Sequence, residues 1–258
     1  RSGEGAYSYL DETITEGEFD SGMIDGKQIG QIENKWSAHT IESLLEYSMK
    51  LKNANREVHS SRKSKYHKMK TVELLKGNED AFLEFKGSLW TKYVPKTYQK
   101  LESKKEHRNE LEDAVVKTVS AFLNSDGGTL LIGVKDKPRD EGDNPADVIG
   151  IENDFDFLPS GKRNTEGYTH RLLEIFNNAF GGDKSITTLN IKISYLATDT
   201  GTVCRIDVKP VPQEKNCAVW VKTKTMGDEE FFFRSADTTV HASAKSAHNY
   251  ISHHFEKY

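Results

Sequence analysis

Cysteine is scarce in this chain of 258 residues: Cys204 and Cys217 are the only two. Two cysteines cannot build a disulfide framework, and without a CxxC pair there is no zinc-ligand spacing. Reduced thiols in an intracellular, cytoplasmic protein are therefore expected. Long hydrophobic runs are absent as well. No apolar stretch approaches the ~18–20 residues of a membrane span, so no membrane partner is expected, and no signal-peptide pattern opens the chain. No GxxxxGK[ST] loop exists to cradle phosphates, so no ATP is expected. No GxSxG elbow or Cys/His pairing argues for nucleophilic catalysis. The chain opens on Arg1 rather than Met, and a piece of a longer protein is expected. A hydrophobic content of 35% with mean hydropathy −0.69 leaves a modest core and wet appendages.

What is present is charge, unevenly spread. The net charge of −4 hides an acidic segment, residues 1–48, with ten acids against three bases. A basic one follows, residues 50–70, with eight bases against Glu57 alone. Residues 92–108 carry six bases against Glu102 and Glu106. Such stretches attract polyanions within about a Debye length, ~8 Å at physiological salt; the ordinary alternative is a set of solvated helix faces.

Periodicity divides the chain into an acidic, loosely ordered arm at 1–36 with an extended piece at 27–32, a basic helical extension at 37–72, and a domain at 73–258. The extension holds a helix from about Thr40 and a short one near Thr71–Leu75. AFLEF reads as a strand with Leu83 and Phe85 on one face and Phe82, Glu84 and Lys86 on the other. ELEDAVVKTVSAFLN reads as a helix with a capping box at Asn109 and Glu112 and a stop at Gly127-Gly128. TLLIGV is a central strand buried on both faces. A helix at about 165–179, a hairpin from Leu189–Tyr195 and Val203–Val208, a second from AVWVKT and EEFFFRS, and a last helix at about 242–255 complete the order. The fold class is α+β, a mixed/antiparallel sheet with flanking helices and an N-terminal helical extension.

Two constellations carry chemistry. Glu84 and Lys86 lie about 6.6 Å apart on one strand face, twice the ~3.3 Å rise. A carboxylate there suits a hard cation, and the ammonium suits a phosphate or attacking water. The alternative is a surface ion pair of about 0–1 kcal/mol. Glu79 sits five residues before Glu84 and joins this face only if the chain bends near Asp80–Ala81. The second constellation is SAFLNSDGGTLLIGVKD, whose strand delivers Asp136 to its C-terminal edge, a common place for functional groups.

LEFKGSL, LEDAVVKTVSAFLNSDGGTLLIGVKD and VWVKT…GDEEFFFRSADTTV together resemble the AlbA_2 domain of the Schlafen family over roughly residues 73–255. The resemblance implies an α+β nucleic-acid-binding domain and, from the Schlafen core, an endoribonuclease acting on transfer and ribosomal RNA through three carboxylates and a divalent ion. The matching positions are Glu79, Glu84 and Asp136, which would bind Mg²⁺ or Mn²⁺, with Lys86 as the family's lysine. Lys86, Lys135, Lys222, Lys224, Arg234, Arg62, Lys63 and Lys65 are the candidate nucleic-acid contacts. Two departures stand out. Vertebrate Schlafen cores hold two such lobes and this chain one, which implies a homodimer or fusion to other domains. The usual R-S-G-N-S-T reads Arg234-Ser235-Ala236-Asp237-Thr238-Thr239, without its glycine. RNA is favoured over DNA as partner. The alternatives are a non-catalytic DNA- or RNA-binding module of a larger regulatory or defence protein, and a DNA nuclease using Asp80 or Glu73 beside the same strand.

Overall fold

The computed structural model describes residues 66–93, 100, 104–135, 146–212 and 217–255, together with the backbone of four strands between residues 3 and 28. The chain divides into two compact units, Arg1–Glu57 and Val58–Tyr258. In the first, β1 (Gly3–Ser8), β2 (Ile14–Asp20), β3 (Met23–Ile24) and β4 (Lys27–Gln28) form an antiparallel meander. The helix expected from Thr40 lies outside the described residues.

The second unit begins with α1 (Thr71–Leu74) and β5 (Leu83–Lys86), followed by α2 (Lys105–Asn124) and β6 (Gly128–Ile132). A 3₁₀ turn at Glu152–Phe157 leads to α3 (Thr165–Ala179) and α4 (Lys184–Asn190). Then come β7 (Ile191–Ala197), β8 (Thr202–Val208), β9 (Trp220–Lys222), β10 (Glu229–Ser235), β11 (Thr238–Ala242) and α5 (Ala244–His254). The strands make one sheet in the order β5-β6-β8-β7 and another in the order β11-β10-β9. β5 and β6 are parallel and the other pairs antiparallel, so the fold is α+β with a mixed sheet.

Every residue of β6 is buried, as its unbroken apolar pattern predicts for a strand paired on both sides. The alternation of β5 splits the core in two. Leu83, Phe85 and Leu131 join Leu74, Val134 and Val203 on one face. On the other, Leu130 and Ile132 join Val115, Val119 and Phe122 of α2 with Val221 and Phe231 of the second sheet. The helix thus packs against both sheets. Its last turn closes through the Gly127 N–H to the Phe122 carbonyl at 3.0 Å. Gly127 has φ 78°, and a Cβ there would stand 2.5 Å from the Val208 carbonyl; one on Gly128 would stand 2.4 Å from the Phe122 ring. The glycine pair therefore does two jobs, a left-handed turn and a close strand–helix approach.

Three sequence expectations need correction. α2 starts at Lys105, four residues before the expected cap, so Asn109 and Glu112 form no capping box. Glu112 instead lies buried, accepting the Trp90 indole N–H at 2.6 Å and the Lys224 ammonium. Leu189 belongs to α4 rather than to the first hairpin. Residues 238–242 form the unanticipated strand β11, which pairs along β10 from Ser235↔Thr238 to Phe231↔Ala242.

Buried polar hubs lock the loop that leaves β5. The Asp154 carboxylate, 1% exposed, accepts the amides of Leu89 (2.9 Å), Trp90 (3.2 Å) and Thr91 (2.9 Å). It also accepts the hydroxyls of Ser88, Thr91 and Tyr168. So many donors stabilise a charge that burial alone would penalise. The chain after Lys86 therefore has one course.

Candidate functional site

The site expected around β5 rests on how its open edge is treated. The Phe82 and Lys86 carbonyls accept Thr129 (2.7 Å) and Gly133 (2.9 Å) amides from the β6 side, so Leu83 and Phe85 point their backbone groups outward. That outer edge is closed by the chain's own acids. Asp80 Oδ1 accepts the amides of Phe82 (2.7 Å) and Leu83 (3.0 Å), while its own N–H donates to the Leu83 carbonyl at 3.0 Å. This is the bend that Glu79 requires. Glu79 folds back and accepts the Phe85 N–H at 2.7 Å, and the Lys86 ammonium donates to the Phe85 carbonyl at 3.1 Å. Tyr66 donates its hydroxyl to Asp80 Oδ2 at 2.6 Å and steadies the turn.

Glu84 projects from the same strand between two cations. Its Oε1 takes the Lys86 ammonium; its Oε2 takes the Arg234 guanidinium at 2.9 Å. Arg234 also donates to the Asp80 carbonyl (2.7 Å) and the Thr239 hydroxyl (2.9 Å). Its guanidinium carbon lies 5.1 Å from the centre of the Phe122 ring. Exposure rises outward through the cluster, from 3% for the Arg234 side chain to 12% for Glu84 and 27% for Lys86. A buried arginine thus holds the carboxylate, and the carboxylate presents a lysine at the rim. Of the two bases around Glu84, Arg234 is buried and Lys86 is the one at the surface, so the group offered to an anion is the Lys86 ammonium, beside the acids Glu79 and Asp80.

The topology brings a further segment to this rim. β5 and β6 are parallel, so both end at the same side, and the Val134 N–H reaches the Lys86 carbonyl at 3.2 Å. Lys135 follows and pairs with Asp147 at 3.0 Å. Asp136, the next residue, lies outside the described residues. So do Arg62, Lys63 and Lys65. Among the described residues no three Asp, Glu, His or Cys side chains gather where a metal would sit.

The other expected contacts are spread. Lys222 is exposed on β9, and Lys224 is tied to Glu112. Arg234 is placed differently from a surface phosphate contact, because its buried guanidinium reaches outward only through Glu84. Sequence spacing identified the Glu84/Lys86 pair and the bend near Asp80 on which Glu79 depends, but not Tyr66. The Asx-type turn had a local signal, an Asp three residues before the strand. The tyrosine had none. Cys204 is buried, Cys217 half-buried, and neither is in a disulfide. No helix among the described residues is long and apolar enough to cross a membrane.

The Schlafen, AlbA_2 family matches residues 79–243, more than half of the chain and all the described rim except Tyr66. The chain belongs to the Schlafen AlbA_2 family. No curated protein matches it. Among solved structures, the crystal structure of the DIP2311 protein from Corynebacterium diphtheriae aligns at 15% identity and TM-score 0.38, over 67% of this chain and 24% of that one. The solution structure of the N-terminal domain of a RecG-related protein from Nitrosomonas europaea aligns at 16% identity and TM-score 0.36, over 65% of this chain and 90% of that one. The family match begins at Glu79, so this AlbA_2 domain includes the turn, the edge-sealing acids, the Glu84 clamp and the hairpin bearing Arg234.

Proposed function

We propose that this AlbA_2 domain binds structured RNA such as transfer RNA at the β5 rim and cleaves it as a divalent-metal-dependent endoribonuclease. The observation that carries the reading is the clamp of Glu84 between Lys86 and Arg234, beside the acidic turn and next to the segment leading to Asp136. Family membership supports nucleic acid as the ligand. The donors suit a hard cation such as Mg²⁺ or Mn²⁺, since carboxylate oxygens are its preferred ligands. Glu79, Glu84 and Asp136 would hold it, once Glu84 Oε1 parts from Lys86. When bound, such an ion polarises a phosphate oxygen or lowers the pKa of a water.

The protein's own groups have separate tasks. Lys86, released from Glu84 by a phosphate, positions that phosphate at the rim. Arg234 keeps the Glu84 carboxylate oriented, and Glu79 and Asp80 keep the strand edge shut. Lys222 and the basic stretches add salt-sensitive affinity without choosing the cleavage point.

One observation favours a second reading, a non-catalytic RNA- or DNA-binding module. Both Glu84 oxygens and one Glu79 oxygen already have protein donors, as befits a structural cluster. The deciding experiment incubates the protein with a transfer-RNA pool, with Mn²⁺ or with EDTA, beside Glu84→Gln. The nuclease reading predicts Mn²⁺-dependent fragments that Glu84→Gln does not make. Intact RNA in every lane, with binding that survives EDTA, establishes the module instead.

A further inference from the structure

The two outer strands of the larger sheet are treated in opposite ways. The β5 edge is closed by Glu79, Asp80 and Lys86. β7, the other outer strand, runs seven residues, Ile191-Lys192-Ile193-Ser194-Tyr195-Leu196-Ala197, with no proline or glycine. Its pairing with β8 alternates. The Lys209 N–H reaches the Asn190 carbonyl (2.7 Å) and the Thr198 N–H the Gly201 carbonyl (3.0 Å), so even-numbered residues bond toward β8. Ile193, Tyr195 and Ala197 therefore aim their N–H groups away from the sheet, as Ile191, Ile193 and Tyr195 aim their carbonyls. Among the described residues β7 pairs only with β8. A long edge without charges at its centre, proline or a bulge is a template for another strand.

We infer that β7 is a homodimerisation strand, pairing antiparallel with β7 of a second copy about a two-fold axis through Ser194. This register is the one that overlaps all seven residues. It sends the N–H of Ile193 to the partner's Tyr195 carbonyl, that of Tyr195 to the partner's Ile193, and that of Ala197 to the partner's Ile191. Each copy donates three bonds and accepts three, and every outward donor is used. On the α3 side, half-buried Ile193 faces the partner's Tyr195, an aliphatic–aromatic pair of the kind that stabilises sheets.

Charge supports the same register. Lys192 is the strand's one charged residue, and it meets the partner's Leu196, whose side chain covers the lysine stem. The two Lys192 Cα atoms then stand roughly 14 Å apart, four residues along and one strand across, beyond the ~8 Å Debye length. Moving the axis to Lys192 sets the like charges face to face, and moving it to Leu196 leaves only the strand's end paired. The product is a continuous eight-stranded sheet whose outermost strands are the two copies of β5. Both rims stay open. The inference stands on the edge geometry and not on what the rim binds.

Ser194 provides the test, because a directly opposed pair that shares no hydrogen bonds sits about 4.5 Å apart at Cα, within reach of a disulfide. The 258-residue chain carrying Ser194→Cys is expected to form a covalent dimer under mild oxidation, reversed by dithiothreitol, far faster than wild type or Ser160→Cys on an exposed loop. By sedimentation velocity, wild type should approach twice 29.2 kDa as concentration rises. Ser194→Glu and Ser194→Lys should each shift toward monomer, and an equimolar mixture should recover the dimer. A wild type that stays monomeric overturns the inference, as does Ser194→Cys cross-linking no faster than Ser160→Cys. A dimer indifferent to both charge variants, or lost in their mixture, places the interface elsewhere and overturns it too.

Discussion

At the scale of single residues, the rim depends on one long-range pair. Glu84 and Lys86 are legible in the sequence because a strand repeats every two residues. Arg234 stands 150 positions further on, and no local pattern ties it to Glu84. Its burial makes it the residue the cluster tolerates losing least. Arg234→Ala leaves a part-buried carboxylate without its partner and is expected to cost about 3 kcal/mol, toward the low end for a broken buried pair because Glu84 retains some water. Thermal denaturation reads this as a fall of several degrees; an unchanged midpoint would show the pair to be incidental. A second cluster gives a pH dependence. Burial raises the Asp207 carboxyl, but hydrogen bonds from His67, Arg205 and Thr129 outweigh it and hold the group below the usual carboxylate range. A carboxylate depressed on folding stabilises above its unfolded value of ~3.9, and that contribution fades as pH falls through the folded value. Asp207→Asn should thus lower the melting temperature at pH 7 and narrow the gap to wild type below about pH 4. Curves with a constant gap would remove Asp207 as the titrating group.

At the scale of elements, strong periodicity was legible and short segments were not. The helix Thr165–Ala179 falls where the sequence reading puts it, and the structure adds an Asn164 cap that accepts the Gly167 N–H at 2.9 Å; β6 is the central strand its apolar run predicts. β11 escaped because its five residues mix Thr, Val and His with no clean alternation, and only pairing with β10 makes it a strand. The start of α2 escaped because Lys104 and Lys105 supply no capping side chain. The β10–β11 turn shows what a missing family glycine costs. Ala236 has φ 52°, the one positive value among the described non-glycine residues. It is the first of two loop residues between Ser235 and Thr238, where a glycine is normally required. Ala236→Gly should stabilise the domain by about 0.5–1 kcal/mol, the left-handed penalty less the entropy that glycine loses. A lower denaturation midpoint would contradict this account of the turn.

At the scale of the whole molecule, the larger sheet has one edge closed by its own acids and one that, among the described residues, no strand covers. The closed edge carries the rim proposed to meet RNA; the other edge lies on the far side of the sheet. Neither arrangement was visible in the sequence, since strand order, and hence which strands are outermost, follows from pairings between distant segments. The central claim is that RNA meets the protein at the β5 rim, and Lys86 is the most exposed of its Arg234–Glu84–Lys86 cluster. The most direct measurement is the affinity of wild type and Lys86→Ala for a transfer-RNA pool in EDTA, titrated from 50 to 200 mM salt. If the rim contacts a phosphate, the variant binds about five-fold more weakly, and its slope of log affinity against log salt is shallower by about one. Equal affinity and equal slope would put the RNA on another face.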